Sequence, residues 1–216
     1  MIDFKNEKEN CSSVNKPLTK KQESIASRKD ELIQLAKSIV EEQGFTYLTM
    51  DRLTALSNYS KGTIYNHFCS KEDVILALCI HGIEQEARMI YRGANFHGST
   101  REKMVAVHVA YRIFVLLNPE LTACVLMANT PWITEKAAVE HVKVFNQLET
   151  QVVGFVSQIV TEAIEKGELT VTAEMDVESI VFSNWSMAFG FNALVAKYGM
   201  RSEYRTTNRY VSLIVK

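Results

Sequence analysis

Apolar positions in this chain recur mainly at spacings of three and four, the repeat of a helix with one buried face. Over residues 23–43, Leu32, Leu35, Ala36, Ile39 and Val40 follow that spacing, and Gly44 ends the run. Two short helical stretches come next. Thr49 precedes residues 50–56 as an N-cap whose hydroxyl can satisfy an orphan backbone N–H. Ser57-Asn58-Tyr59 supplies a turn, with Asn58 able to take left-handed backbone at modest cost, and Ser60 caps a second stretch over residues 61–68. Ser70-Lys71-Glu72-Asp73 then reads as a cap with an acidic third residue, close to a capping box, opening a further helix through Val74 and Leu78.

Helical periodicity continues over residues 76–92, 100–117, 120–128, 135–166, 175–198 and 203–215. The separators are Gly93, Gly98, Asn118-Pro119, Thr130-Pro131, Gly167 and Gly199. Leu169-Thr170-Val171 is the one short β-like run and reads as a connection. The predicted architecture is all-α, with an N-terminal three-helix helix-turn-helix domain over residues 23–75 and a C-terminal helical domain over 76–216. Residues 1–22 are polar, carry no sustained period and read as a flexible arm.

Composition adds limits. With 47% apolar residues the chain has material for a packed core, so disorder throughout is excluded. A net charge of −1 gives no global attraction to nucleic acid, so any such surface has to be local. One local excess exists: residues 16–29 hold Lys16, Lys20, Lys21, Arg28 and Lys29 against Glu23, a net +4. Its plain reading is a solvated tail, and its sharper one a sequence-independent phosphate contact that would steepen salt dependence. Cys11, Cys69, Cys79 and Cys124 lack CxxC pairing, and no segment has the length and apolarity of a signal peptide or membrane span. The expectation is a cytoplasmic protein without membrane contact, cofactor or metal site.

The informative stretch is the short helix, tight turn and second short helix between Thr49 and Phe68, the layout of a helix-turn-helix. In such a motif the second helix enters the major groove while the first crosses the backbone. Leu53, Ala55, Leu56, Ile64 and Phe68 are the candidates for holding the helices together, leaving Lys61, Gly62, Thr63, Tyr65, Asn66 and His67 for the outer face. Lys and Asn can hydrogen-bond guanine and adenine edges, Thr offers a hydroxyl and a methyl, and Gly62 permits close approach to a backbone. The helix N-termini at Ser60 and Ser70 would add partial positive charge beside phosphate.

Gly44-Phe45, Thr49, the run Asn58-Tyr59-Ser60-Lys61-Gly62-Thr63-Ile64-Tyr65-Asn66-His67-Phe68 and Ser70-Lys71-Glu72-Asp73 resemble the DNA-binding domain of the tetracycline-repressor (TetR) family over residues 23–75. That family often has Gly where this chain has Asn58. The resemblance implies that Thr49 and Tyr65 touch phosphates, with His67 and Lys71 as further backbone contacts, and that Lys61, Thr63 and Asn66 lie near base edges. It also implies a double-stranded, pseudo-palindromic DNA operator and a homodimer built through the last two helices. Repression relieved by a small apolar or amphipathic effector is the implied mode; the alternative is control by a protein partner with no small-molecule inducer.

Beyond residue 75 the sequence shows architecture more than chemistry. Tyr111, Phe114, Met127, Trp132, Phe145, Phe155, Trp185 and Phe189 could line an apolar cavity between helices, with His108 and Asn129 orienting a ligand. The plain reading of each aromatic or Met side chain is ordinary core packing, and that of His108 and Asn129 a hydrogen-bonded core or surface role. Trp185, Phe189, Phe191 and Leu194 give the 175–198 segment more apolar surface than one buried face needs. No GxSxG, HExxH, GxxxxGK[ST] or strand-borne GxGxxG is present, so an enzyme is not expected. His97, His108 and His141 with Cys124 have no metal-site spacing.

Overall fold

The computed structural model describes residues 19–172 and 175–198, and every regular element among them is helical. Helix α1 (Lys20–Gln43) starts three residues before the expected point because Thr19 and Gln22 form a capping box. Thr19 Oγ accepts the Gln22 N–H, and the Gln22 side chain accepts the Thr19 N–H at 2.9 Å. Lys20 and Lys21 are therefore helical, while the rest of the expected arm, Lys16 included, lies outside the described residues. At the other end Gly44 takes φ +88°, a backbone region that favours glycine, and its N–H closes on the Val40 carbonyl.

After a 3₁₀ turn (Phe45–Tyr47) come α2 (Met50–Leu56) and α3 (Lys61–Tyr65). Their caps are the two expected: Thr49 Oγ1 accepts the Arg52 N–H at 3.1 Å, and Ser60 Oγ accepts the Thr63 N–H at 3.2 Å. Helix α3 is shorter than the expected 61–68. His67 and Phe68 both donate to the Ile64 carbonyl, which tightens the chain into a turn and drives Phe68 into the core. Leu53, Ile64 and Phe68 are fully buried. Ala55 and Leu56, expected beside them, are exposed, Leu56 to 55%. A seven-residue helix buries one narrow stripe, and in α2 Met50 and Leu53 fill it.

Helix α4 (Lys71–Ala94) runs through Gly93, an expected separator. It is followed by α5 (Thr100–Leu117), α6 (Pro119–Ala128), α7 (Pro131–Thr134), α8 (Val139–Glu165) and α9 (Val177–Tyr198). A full capping box at Ser99 and Glu102 opens α5. The expected single helix over 135–166 is instead α8, preceded by the short α7 with Pro131 in its first turn. Leu169-Thr170-Val171 is not a strand, and the expected helix over 203–215 lies outside the described residues. No single described helix is long and apolar enough to cross a membrane.

Among the described residues, those up to Glu84 pack with Glu120–Leu148 as one compact unit, and Gln85–Pro119 packs with those from Glu149 onward as another. These are packing units, a different criterion from the helix-turn-helix motif that sets the expected boundary near residue 75. The first unit buries Leu32, Leu48, Leu53, Ile64, Phe68, Val74 and Ile75 from the N-terminal helices and Leu121, Cys124, Ile133 and Phe145 from α6 to α8. Each such side chain withdrawn from water contributes about 2 kcal/mol before chain entropy is charged against it. In the second unit Ile90, Val107 and Ile159 form a cluster with Met104, Val152, Phe155 and Val156 around it.

Gly93 explains why that cluster closes. A Cβ there would stand 2.8 Å from the Val107 backbone nitrogen and 2.9 Å from the Ala106 carbonyl, so α4 and α5 meet backbone to backbone. Gly154, within α8, has nothing within 4 Å of such a Cβ. Gly93→Ala is expected to cost about 2 kcal/mol by overpacking, whereas Gly154→Ala should be neutral or gain about 0.5 kcal/mol through helix propensity. Urea unfolding of both variants checks this, and equal midpoints would contradict the close approach.

Candidate nucleic-acid interface

The expected DNA-contacting residues all fall within the first unit, on α2, α3 and the start of α4. Thr49, Ser60, Lys61, Gly62, Tyr65 and Asn66 are exposed, Tyr65 to 45%, while Thr63, His67 and Lys71 are half-buried. Helix α3 thus has a buried edge, Ile64 followed by Phe68, and an opposite edge of polar and aromatic groups. A side chain added at Gly62 would meet only Ser60 Oγ, at an ordinary 3.8 Å. Nothing among the described residues requires glycine at this position.

The outer face is not a bare cationic patch. Lys61 Nζ donates to Asp51 on α2 at 2.8 Å and lies 5.9 Å from the centre of the Tyr65 ring. That hydrogen bond, with the Asp51 charge, holds the Lys61 ammonium above its usual pKa. Both partners are well exposed, so the pair adds little to stability, but it presets the lysine's position. Ser60 Oγ and Thr63 Oγ1 are 3.0 Å apart. His67 is pushed below the usual imidazole range by burial and by the nearby positive charges of Arg28 and Lys29. This places the basic end of α1 beside the turn that follows α3.

Two contributors escaped the sequence reading. Arg52 donates to the Gln43 side chain, sits 5.8 Å from the Tyr47 ring centre, and keeps a buried Nε with no hydrogen-bond partner. Its only sequence signal was a cation two residues into the helix that Thr49 caps. The second is the support behind α3. Asp73, fully buried, accepts the Cys69 N–H at 3.0 Å, the Ala138 N–H at 2.9 Å and a 2.6 Å hydrogen bond from His141 Nδ1. With Nδ1–H donating, His141 Nε2 is left to accept from Lys29 Nζ at 2.8 Å. Ser70 Oγ caps the Asp73 N–H and donates to the Lys136 carbonyl at 2.7 Å.

Of the residues proposed for an effector pocket, Met127, Asn129, Trp132 and Phe145 belong to the first unit, where Asn129 and Trp132 are exposed and Phe145 is buried. His108, Tyr111, Phe114, Phe155, Trp185 and Phe189 belong to the second. There Phe114 is buried, Phe155 packs on Tyr91 at 5.3 Å between ring centres, and Trp185 packs on Phe189 at 5.0 Å. Burial pushes His108 below its usual range, against a hydrogen bond with Asn184. A buried acid was missed: Glu86 of α4 is only 8% exposed, and burial followed by the charge of Glu149 pushes its carboxyl up to about 8. Among the described residues no cluster of His, Cys, Asp or Glu is placed to hold a metal ion.

Comparison with known proteins agrees with this geometry. Residues 32–78 match the tetR family of bacterial regulatory proteins. An uncharacterized HTH-type transcriptional regulator of Mycobacterium tuberculosis is 37% identical over 60 residues, which are 28% of this chain and 30% of that protein. The similarity thus spans under a third of the relative's length. Among solved structures, a tetR-family regulatory protein from Rhodococcus RHA1 superposes with a TM-score of 0.64 at 16% identity, covering 87% of this chain and 94% of its own. The regulator FadR from Bacillus subtilis, in complex with stearoyl-CoA, gives 0.63 at 18% identity, covering 87% and 97%. The fold is that of tetR-family regulators.

The Asp73 network makes a pH-dependent prediction. Burial alone would raise this carboxyl, but the hydrogen bonds from His141, Ala138 and Cys69 outweigh it and hold the carboxyl below its ordinary range. A lowered folded pKa contributes stability above the unfolded value and loses it as pH falls through the folded one. Asp73→Asn should therefore cost about 2 kcal/mol near neutrality, with the gap to wild type narrowing below about pH 4. Urea titrations across that range test it; a gap independent of pH would exclude an ionised Asp73.

Proposed function

We propose that this chain, whose residues 32–78 are of the tetR family of bacterial regulatory proteins, is a sequence-specific DNA-binding transcriptional repressor acting as a homodimer on a pseudo-palindromic operator. The observation that carries the reading is the polarity of α3: Ile64 and then Phe68 are locked in the core while Lys61, Gly62, Tyr65 and Asn66 face outward. In this reading Thr49, Tyr65, His67 and Lys71 contact phosphates, and Lys61, Thr63 and Asn66 reach base edges. The absence of any internal reason for Gly62 supports close approach of a DNA backbone there. On binding, Lys61 exchanges Asp51 for DNA, so specificity at its base position includes the loss of a preformed pair.

Dimerisation is supported by α9, whose Phe182, Trp185, Met187 and Leu194 are each about half exposed or more. Apolar side chains of that size, repeated along one helix, fit burial against a second copy. Two recognition helices one DNA turn apart would then read a two-fold site. Relief of repression by a small amphipathic effector bound within the second unit completes the proposal, and the stearoyl-CoA complex of FadR supports an effector with an apolar chain. The effector would favour dimers whose recognition helices no longer match the groove spacing.

A mobility-shift assay on DNA upstream of the chain's own or an adjacent gene should show binding that random DNA does not compete at moderate salt. No preference over random DNA at any salt concentration would remove the claim. Tyr65→Ala should weaken binding to all sequences and flatten the salt dependence, while Asn66→Ala should shift preference at particular base positions by about 1–3 kcal/mol. Identical effects of both variants on every site would overturn the assignment of contacts.

A further inference from the structure

Two hydrogen bonds meet on the His141 ring from opposite sides. Nδ1 lies 2.6 Å from Asp73 Oδ1 of α4, and Nε2 lies 2.8 Å from Lys29 Nζ of α1. All three residues belong to the first unit, where the ring also lies 6.1 Å from that of the buried Phe68. The turn after α3 adds Cys69, whose N–H bonds Asp73, and His67, which feels the charge of Lys29. Among the described residues the other charges of these elements are engaged elsewhere. Arg28 turns back to Ser24, Lys136 pairs with Glu72 at 3.6 Å, and Lys143 pairs with Glu140 at 3.3 Å.

This geometry fixes where the ring carries its proton. An ammonium has no lone pair, so the nitrogen facing Lys29 is the bare acceptor, and the proton sits on Nδ1 against a carboxylate that can only accept. Lys29 is therefore held only while His141 is neutral. A proton added at Nε2 turns that acceptor into a donor and sets two positive charges at hydrogen-bond distance. The imidazolium keeps Asp73, now as an ion pair, and Lys29 has to leave. Its ammonium stands on a flexible four-carbon stem and is half-buried at most, so water can receive it. Asp73 stays ionised throughout, because its hydrogen bonds hold the carboxyl below the ordinary range.

We propose that His141 is a proton gate on Lys29: the neutral ring holds the ammonium against the Asp73 network, and the imidazolium releases it to the surface beside the turn after α3. The consequence for DNA rests on the reading of that turn as phosphate-facing. An ammonium freed beside His67 adds a positive charge where a phosphate would lie. DNA affinity then rises, and its salt dependence steepens, as pH falls through the imidazole range. His141 is a positioning residue in this scheme; it touches no DNA and acts through Lys29.

Two measurements on the full chain test it, the first without DNA. His141→Asn keeps a donor for Asp73 but is too short to reach Lys29. A double-mutant cycle of Lys29→Met and His141→Asn, read by urea unfolding, should show a favourable coupling of about 5-fold in the unfolding equilibrium constant near pH 8, and none or an unfavourable one near pH 5. Lys29→Met leaves the Asp73 bonds complete. By itself it should ease unfolding about 5-fold near pH 8 and not near pH 5, which keeps the test decisive if His141→Asn does not fold. No coupling near pH 8, or the same coupling at both values, would overturn the gate. The second measurement is the salt dependence of binding to a duplex from upstream of the chain's own gene. Wild type should gain about one released ion between pH 8 and pH 5 beyond the change seen in either variant, with His141→Asn steep at both values and Lys29→Met shallow at both. His67 titrates alike in all three, so equal steepening in all would overturn delivery of Lys29 to DNA. A cycle that behaves as expected in a chain that binds no DNA would uphold the gate and count against the DNA-binding reading.

Discussion

The carboxylate of Asp73 is the contact on which the helix-turn-helix part of this molecule depends. It is inaccessible to water, yet three donors converge on it from the turn after α3, from the residue before α8 and from the His141 ring. Burying an ion without partners costs several kcal/mol, and these bonds more than offset that cost, as the lowered pKa records. The chain of contacts continues through His141 to Lys29 on α1. A single buried group therefore orients the exit of α3, the start of α8 and a basic residue of the first helix.

Such support is needed because α3 has five residues. A helix of that length has almost no stability of its own, so its conformation is set by its caps and by the side chains it buries. Ser60 fixes one end, the turn through Ile64 and Phe68 fixes the other, and packing between them leaves Lys61, Tyr65 and Asn66 no choice of side. The Lys61–Asp51 pair and the Lys61–Tyr65 contact then organise the outer face from within the chain. Preorganisation of this kind lowers the ordering cost of binding more than it raises stability.

The second unit handles polar groups differently. In the first unit hydrogen bonds outweigh burial and hold the Asp73 carboxyl below its ordinary range; in the second, burial and then the charge of Glu149 raise that of Glu86. Close packing around Gly93 and the Ile90–Val107–Ile159 cluster gives the second unit a rigid frame.

Periodicity, caps and turn chemistry are local, so the sequence alone determined the all-α class, the helix-turn-helix and the outward face of α3. Thr49, Ser60, Ile64 and Phe68 behave as their spacing requires. The Thr19–Gln22 box and the buried Glu86 were both missed, although the first is a local spacing of cap residues and the second an acid on an apolar stripe. Tertiary structure decided what depends on residues distant in the chain: that Ala55 and Leu56 face solvent, that Gly93 is a crossing point and not a stop, and that Asp73 is more than a helix cap. Its partners His141 and Ala138 lie 68 and 65 positions away, and no local pattern encodes a hydrogen bond that only folding brings within reach.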